Sequence, residues 1–311
     1  MKLWLGRLIS ITSLFFVGYF LFTSVQNITW GQIDIRITYL IVSLLSGLLY
    51  FFLRNYAWAK LIRQRTFAIG VIPAAHYFST SEIIRYIPGN VWGLGARIIK
   101  GPKYGIPKKS AVMLLIEDTA LLLLTVTALS GLGLLITPGL ESVWRLLGIL
   151  LIFSLSLIFL LPYLIHKGSK IISKIFSFAF VAADISIKRL SKLIPLYITL
   201  WLSYAFCNVF LFYGIFSQTT NTFVLILTFS IFSWLIGYAS LLTPSGLGVR
   251  ELIFSIGLTG SIPAAIASLF SLISRVWLTL IELLFYFVVM LLHRGPVTQE
   301  PFTFPKITTN E

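Results

Sequence analysis

Charged residues, cysteine and histidine are scarce in this 311-residue chain. Only 11% of the residues are charged and 58% are hydrophobic, whereas soluble globular domains contain about 25% charged and about 45–50% apolar residues. The single cysteine, Cys207, excludes an intramolecular disulfide. The three histidines are widely spaced and show no pattern of metal ligands. We therefore expect no metal ion and no other cofactor.

Acidic residues are few as well. The chain has 10 Asp and Glu against 24 Lys and Arg, a formal net charge of +14. Such an excess can indicate nucleic-acid binding, but Lys and Arg also collect in the cytoplasmic loops of membrane proteins, where they set the direction of insertion. The mean hydropathy of +0.95 favours the second interpretation. We expect an integral membrane protein that does not bind nucleic acid.

Long apolar runs are abundant, and a membrane-spanning helix needs about 20 mostly apolar residues. Seven runs qualify: 8–25, 37–53, 111–136, 146–165, 193–216, 222–243 and 264–292. Lys2 and Arg7 precede the first run as in a signal peptide, but "YFLFTSVQN" is a poor cleavage site, so the run indicates a retained span. We predict an all-α polytopic membrane protein with about seven (six to eight) transmembrane helices. Residues 1–292 would form the membrane domain and residues 293–311 a short flexible tail.

The connections between these runs alternate in charge. Residues 54–110 contain ten Lys and Arg and residues 166–192 contain six, whereas 26–36 and 137–145 contain one each and 217–221 none. Because positive loops stay in the cytoplasm, the two basic loops and the N-terminus are predicted to be cytoplasmic.

Nearly the same five residues occur twice in the chain, as "GLGAR" at Gly93–Arg97 and "GLGVR" at Gly246–Arg250. Each copy follows a proline, Pro88 in the first case and Pro244 in the second. Proline and glycine interrupt a helix and arginine is costly away from water, so neither choice suits a plain membrane helix. A chance match in a chain rich in Gly and Leu is the alternative interpretation.

Short Pro/Gly-interrupted segments in corresponding halves of a membrane protein indicate a transporter binding site. We predict two re-entrant segments, with helices broken near Pro88–Gly95 and Pro244–Gly248. Four of the predicted spans separate the two motifs, which would place both on the cytoplasmic side. An inverted repeat would need an odd number of spans between them, so either the repeat is not inverted or a segment is miscounted.

The broken segments predict an anion site, since exposed backbone amides and helix N-termini attract negative charge. The guanidinium fork of arginine suits phosphate. We expect four arginines to converge on one polar cavity: Arg85, Arg97, Arg250 and Arg275. The candidate binding residues of the two motifs are Arg85, Pro88, Gly89, Arg97, Pro244, Gly246, Gly248, Arg250 and Glu251.

Three candidates lie within predicted spans, where an ionisable residue is a functional hypothesis by default. Glu117 lies in the third run, next to Asp118, while Arg275 and Glu282 share one face of the last. An ion pair that only pins helices together is the alternative for Glu117 and Glu282. Glu251 is expected to pair with Arg275, or else to cap the short helix that follows the second break.

These motifs resemble the flippase-like membrane region of the lysylphosphatidylglycerol synthase transmembrane family. The resemblance covers roughly residues 5–292 and is carried by "RYIPGNVWGLGAR", "LLIEDTALLLL", "LTPSGLGVRE" and "SLISRVW". Pro244-Ser245-Gly246 replaces the family's usual Pro-Gly-Gly, one small residue for another. The aminoacyl-transferase domain of the longer members has no counterpart here, so transfer of lysine from lysyl-tRNA is not expected.

The resemblance implies movement of lipids, or of lipid-linked sugars in members that accompany glycosyltransferases. We expect a noncatalytic transporter that moves an anionic phospholipid or lipid-linked sugar through an arginine-lined groove, in the plasma membrane of a bacterium or archaeon. Its expected partner is the anionic head group of a membrane lipid. Two alternatives stay open: a noncatalytic membrane partner of a glycosyltransferase, and an intramembrane transferase acting on a polyprenyl phosphate. The transferase would need an acidic metal cluster or a nucleophile–base pair.

Overall fold

The computed structural model describes residues 33–86, 91–167, 186–216, 222–240 and 246–293. Within these ranges the chain forms ten α-helices and two 3-10 helices, and its β pairing is limited to one isolated bridge. The α-helices are α1 (Ile37–Gln64), α2 (Val71–Glu82), α3 (Val91–Lys100), α4 (Lys108–Ile136), α5 (Ser142–Lys167), α6 (Ile187–Ser191), α7 (Ile194–Ile215), α8 (Phe223–Ala239), α9 (Val249–Leu258) and α10 (Ala264–Leu292). The 3-10 helices are Ile83–Tyr86 and Gly101–Tyr104.

The predicted all-α membrane class is confirmed. Helices α1, α4, α7 and α10 contain 22 to 29 residues and are long and apolar enough to cross a membrane. At about 1.5 Å per residue they exceed the hydrocarbon thickness of about 30 Å. Helices α5 and α8 are also apolar. The predicted span at 8–25 lies outside the described residues.

Contacts between the long helices give their directions. The start of α1 meets the end of α7, where the N–H of Asp34 donates to the carbonyl of Ile215 at 2.9 Å, so these two helices are antiparallel. Helix α10 runs parallel to α1, because Trp277 Nε1 donates to Ser43 Oγ at 3.0 Å and Phe285 lies beside Phe51 further along. The two ends of this bundle are called below the Ile37 end and the Gln64 end.

Helix α1 continues well beyond the predicted run 37–53, to Gln64. Three residues counted as loop residues in the charge pattern, Arg54, Lys60 and Arg63, therefore lie on this helix. Arg54 is only 6% exposed. A charge can remain on a buried helix here because Asp118 of α4 neutralises it, and a charge pattern along the chain cannot show that contact.

Helices α2 and α3 form a first hairpin that enters from the Gln64 end. They contain 12 and 10 residues, which gives lengths of about 18 and 15 Å, too short to cross. Ser79 of α2 donates to Asn55 of α1 at 2.9 Å, and Tyr77 donates to the backbone carbonyl of Arg97 on α3. The hairpin therefore descends along the second half of α1 and returns, with the 3-10 helix Ile83–Tyr86 near its tip.

Helices α8 and α9 form a second hairpin that enters from the Ile37 end. Thr228, near the start of α8, lies 2.9 Å from Thr137 at the end of α4, Oγ1 to Oγ1, and Gly257 near the end of α9 packs on Phe229. Helix α8 has 17 residues, about 26 Å, and stops at Ala239. The predicted run 222–243 is therefore the first arm of this re-entrant hairpin.

The two hairpins thus approach one another from opposite ends of the bundle, and the second is inverted relative to the first. The expectation that both motifs lie on one side is wrong, because it counted α8 as a complete span. Composition cannot distinguish a complete span from one arm of a re-entrant hairpin. Helix α8 is as apolar as a spanning helix, and only its contacts show where it stops.

Glycine is required at the break before α9. Gly246 and Gly248 have φ angles of 70° and 86°, which side-chain-bearing residues rarely adopt. A Cβ on Gly246 would also lie 2.7 Å from the carbonyl oxygen of Gly237 on α8. The loop is therefore pressed against the helix that precedes it.

The break in the first hairpin is shorter than predicted. Helix α3 already begins at Val91, so Gly93 and Gly95 are helical although the predicted break extended to Gly95. A glycine inside a helix costs only about 1 kcal/mol relative to alanine, so surrounding contacts can keep it helical. Three predicted break residues lie outside the described residues: Pro88, Gly89 and Pro244.

Gly246→Ala should lower the unfolding temperature of the purified protein more than Gly105→Ala does. The φ angles of the two glycines are similar, 70° and 73°, so both substitutions introduce backbone strain of about 1–2 kcal/mol. A Cβ on Gly105 would meet nothing within 4 Å, whereas the clash at Gly246 should add about 1–3 kcal/mol. Thermal unfolding in one detergent measures the difference. Equal shifts would contradict the close packing of the loop on α8.

The inverted hairpins predict opposite accessibility of their outer ends. Lys103 follows α3 at the Gln64 end and Thr259 follows α9 at the Ile37 end, and both are exposed. In intact cells an impermeant maleimide should label Thr259→Cys, and should label Lys103→Cys only after the membrane is opened. Cys207 is fully buried and gives a low background. Labelling of both variants from the same side would contradict the inversion.

Candidate functional site

A cavity of about 250 Å³ lies where the tips of the two hairpins meet the long helices α1, α4, α7 and α10. Among the described residues, seven charged ones line it: Arg54, Glu82, Arg97, Asp118, Arg250, Arg275 and Glu282. Aromatic side chains, among them Tyr50, Tyr204 and Trp234, form much of the remaining wall. Asp118 is the eleventh residue of the 29-residue helix α4, so the cavity lies well inside the bundle.

The last residue of each five-residue motif reaches this cavity. Arg97 comes from the first hairpin and Arg250 from the second, and Arg275 joins them from α10. The side chain of Arg85, the fourth arginine expected here, lies outside the described residues. The repeat therefore presents two guanidinium groups to one space from opposite ends of the bundle.

The carboxylate of Asp118 links several helices around the buried part of the site. Asp118 is fully buried, and its carboxylate accepts from both terminal nitrogens of Arg54 at 2.7 and 2.6 Å. Arg97 Nη1 at 3.1 Å and Tyr197 Oη at 2.6 Å donate to the same carboxylate. One side chain of α4 thus ties together α1, α3 and α7.

The buried arginines of the cavity form a fixed frame. Arg97 also donates to Glu82, which stands at the end of α2. The guanidinium groups of Arg54 and Arg97 each lie 4.5 Å from the centre of the Phe78 ring. Such contacts add to the ion pairs by attraction between a cation and the face of an aromatic ring. Both arginines are held by several partners at once.

Two arginines of the cavity are more accessible. Arg250 and Arg275 are partly exposed, whereas Arg54 and Arg97 are buried. The guanidinium of Arg250 lies 5.2 Å from the centre of the Tyr204 ring, and the Cβ of Arg250 packs closely on Gly237. A ligand that enters the cavity can therefore reach Arg250 and Arg275 before the buried pair.

Glu251 makes both of the contacts considered for it. One carboxylate oxygen accepts from the backbone N–H of Gly248 at 2.7 Å, which caps the first turn of α9. The other oxygen lies 3.7 Å from Nε of Arg275. The cap and the ion pair therefore occur together.

Glu117 lies outside the cavity. Its buried carboxylate accepts from Arg65 at 2.8 and 3.0 Å and from Arg189 at 2.5 Å. These contacts join the end of α1, the first half of α4 and the short helix α6. They match the alternative interpretation of Glu117, an ion pair that pins helices together. Glu282, in contrast, lines the cavity from α10.

Sequence reasoning missed three charged residues of the cavity: Arg54, Glu82 and Asp118. Arg54 directly follows an apolar run and was counted with the basic loop. Asp118 adjoins the chosen Glu117, yet neighbouring residues point about 100° apart on a helix, so only one of them can face the cavity. A buried arginine needs a buried acidic partner. This requirement was the signal that could have pointed to these residues.

The chain matches the family model described as "Lysylphosphatidylglycerol synthase TM region" over residues 3–288. No curated protein matches the chain at a significant level. The matched range includes both hairpins and all the arginines of the cavity, and it confirms the resemblance expected from the motifs. The protein therefore belongs to the lysylphosphatidylglycerol synthase transmembrane-region family.

Proposed function

We propose that this protein moves a lipid with a phosphate-bearing head group across the membrane through the arginine-lined cavity. The observation that carries the proposal is the meeting of Arg97 and Arg250, from two inverted hairpins, in one cavity inside the bundle. Transporters commonly place their substrate sites near the membrane midplane, between broken helices of inverted halves. Membership of a membrane-domain family is consistent with this role.

The cavity offers groups that suit such a head group. Charge-assisted bonds from arginine to phosphate are roughly twice as strong as neutral hydrogen bonds, and Arg250 and Arg275 are accessible enough to form them. Glu282 and the hydroxyl groups of Tyr50 and Tyr204 can bind the hydroxyls of glycerol or of a sugar. Aromatic rings such as Trp234 can cover a sugar ring. The same lining therefore suits an anionic phospholipid or a lipid-linked sugar.

The frame around Asp118 supports this role through its fixed charges. A phosphate that leaves water loses strong hydration, and the cavity must replace it with donors that are already oriented. Asp118 and Glu82 hold the guanidinium groups of Arg54 and Arg97 in place, so the orientation of these donors is fixed before a lipid arrives. The accessible arginines then supply the direct contacts.

Translocation by the purified protein tests the proposal. The full chain is reconstituted into liposomes that contain phosphatidylglycerol with a fluorescent nitrobenzoxadiazole head group, and dithionite is added outside. Empty vesicles should lose only the fluorescence of the outer leaflet, whereas vesicles with the protein should also lose that of the inner leaflet. Protein unfolded by heat before reconstitution is the control. Loss restricted to the outer leaflet in every sample would overturn the proposal.

The remaining functions would give different results. A noncatalytic partner of a glycosyltransferase should leave the fluorescent lipid in place and bring a glycosyltransferase with it through purification. A transferase should convert a polyprenyl phosphate to a product that mass spectrometry detects. Either result, without translocation, would replace the proposed function.

A further inference from the structure

A second, apolar groove of about 400 Å³ lies against α9 and α10. Leu247, Leu272, Val276 and Leu280 form part of its wall. Val276 is 60% exposed, and its exposed apolar neighbours on both helices make this side of the bundle suitable for contact with lipid chains. The groove therefore opens toward the membrane.

Arg275 connects the groove to the arginine-lined cavity. It lines both spaces, and Glu251, which holds Arg275 at 3.7 Å, also lines the groove. The Glu251–Arg275 pair therefore stands between an apolar space and a charged one. A molecule that fills both spaces must be apolar at one end and anionic at the other.

We propose that the groove holds one hydrocarbon chain of the lipid whose phosphate occupies the cavity, and that the Glu251–Arg275 pair forms the portal between the two spaces. This inference rests on the proposed function and gives it a route of entry, between α9 and α10. We choose a lipid as the occupant because the apolar groove leads directly to a guanidinium that can bind phosphate. The two spaces are continuous, and their chemistry matches the two ends of a lipid.

The geometry of the pair suits a portal. Glu251 stays in place because the N–H of Gly248 holds its other oxygen at 2.7 Å. The distance of 3.7 Å between Arg275 Nε and Glu251 exceeds the normal hydrogen-bond range of about 2.7–3.2 Å. The contact is therefore an ion pair without a short hydrogen bond, and an arriving phosphate can compete with Glu251 for Arg275. The carboxylate then remains capped rather than isolated.

Cross-linking with a photoreactive lipid tests where the chain lies. The full chain in liposomes is irradiated with phosphatidylglycerol that carries a diazirine on one acyl chain, and the labelled peptides are mapped by mass spectrometry. We expect labels concentrated between Leu269 and Leu280, and several-fold fewer there with a diacylglycerol that has the same acyl chains but no phosphate. Equal labelling by both lipids over the exposed faces of α1 and α10 would overturn the inference, since it would indicate ordinary surrounding lipid.

Two matched substitutions test the importance of the groove. Val276→Trp fills the groove, whereas Val288→Trp places the same side chain elsewhere on α10, where Val288 is 43% exposed. Val276→Trp should slow translocation of the fluorescent phosphatidylglycerol about tenfold, equivalent to about 1.4 kcal/mol in the barrier. Val288→Trp should leave the rate within about twofold of the original. The unfolding temperatures of both variants show whether a loss of translocation is due to misfolding.

The outcomes separate this inference from the proposed function. Translocation by the original protein with no effect of Val276→Trp, and with labels away from the groove, would overturn the portal alone. Groove labels that depend on the head group, in a protein that translocates nothing, would support the lipid site and overturn transport.

Discussion

Asp118→Ala should lower the free energy of unfolding by about 3–5 kcal/mol, or prevent folding altogether, because it removes the carboxylate from a buried ion-pair network. Arg54 is 6% exposed and Arg97 is 4% exposed, so little water can reach them to replace the lost partner. Tyr197 would lose its acceptor as well. The yield of monodisperse protein and its unfolding temperature measure the effect.

A surface pair provides the control for this experiment. Asp34 pairs with Arg36 at 2.9 Å, and both side chains are exposed. Exposed pairs contribute about 0–1 kcal/mol, so Asp34→Ala should change the unfolding temperature little. Removal of the second charge in Arg54→Met/Asp118→Leu should restore part of the stability lost in Asp118→Ala, since it leaves fewer unpaired buried charges. Equal stability of Asp118→Ala and Asp34→Ala would contradict the role of this network.

The membrane fold could be predicted from the sequence because its cause is local. Runs long enough to cross the bilayer must satisfy their backbone groups internally, and a helix does so from its own residues. Proline and glycine similarly indicate a break in a helix, and this can be predicted without knowing the rest of the fold. The direction of the second hairpin could not be predicted, because α8 has the composition of a span and the contact of Thr228 with Thr137 is not local.

Part of the site could also be predicted, because the signal for that part is local in the sequence. Arg97, Arg250 and Arg275 are conspicuous because nothing near them in sequence explains a charge in apolar surroundings. Asp118 and Arg54 depend on each other across 64 positions of the chain. Helix α4 is apolar on most of its faces, so its sequence does not show which of its two adjacent acids points inward.

The two groups of arginines predict different consequences of mutation. Arg54 and Arg97 are buried in ion pairs, so their replacement should affect stability at least as much as transport. Arg250 and Arg275 are partly exposed in the cavity, so their replacement should affect transport first. Translocation and unfolding temperature measured on the same preparations separate the two effects.

Arg250→Gln should slow translocation of the fluorescent phosphatidylglycerol roughly ten- to a hundredfold and should lower the unfolding temperature less than Asp118→Ala does. A hydrogen bond to a charged group contributes about 1.5–3 kcal/mol, and each 1.4 kcal/mol or so in a barrier is a factor of about ten in rate. The contact with Tyr204 that is also lost contributes about 0.5–2 kcal/mol to stability.

Two further variants show whether charge or geometry matters at Arg250. Arg250→Lys keeps the charge but lacks the planar fork that binds two phosphate oxygens, so its rate should lie between those of the original protein and Arg250→Gln. Arg145→Gln removes an exposed arginine at the start of α5, away from the cavity, and should leave the rate unchanged. If Arg250→Gln translocates as fast as Arg145→Gln, Arg250 does not bind the head group, and the direct contacts of the cavity must come from Arg275 and the buried arginines.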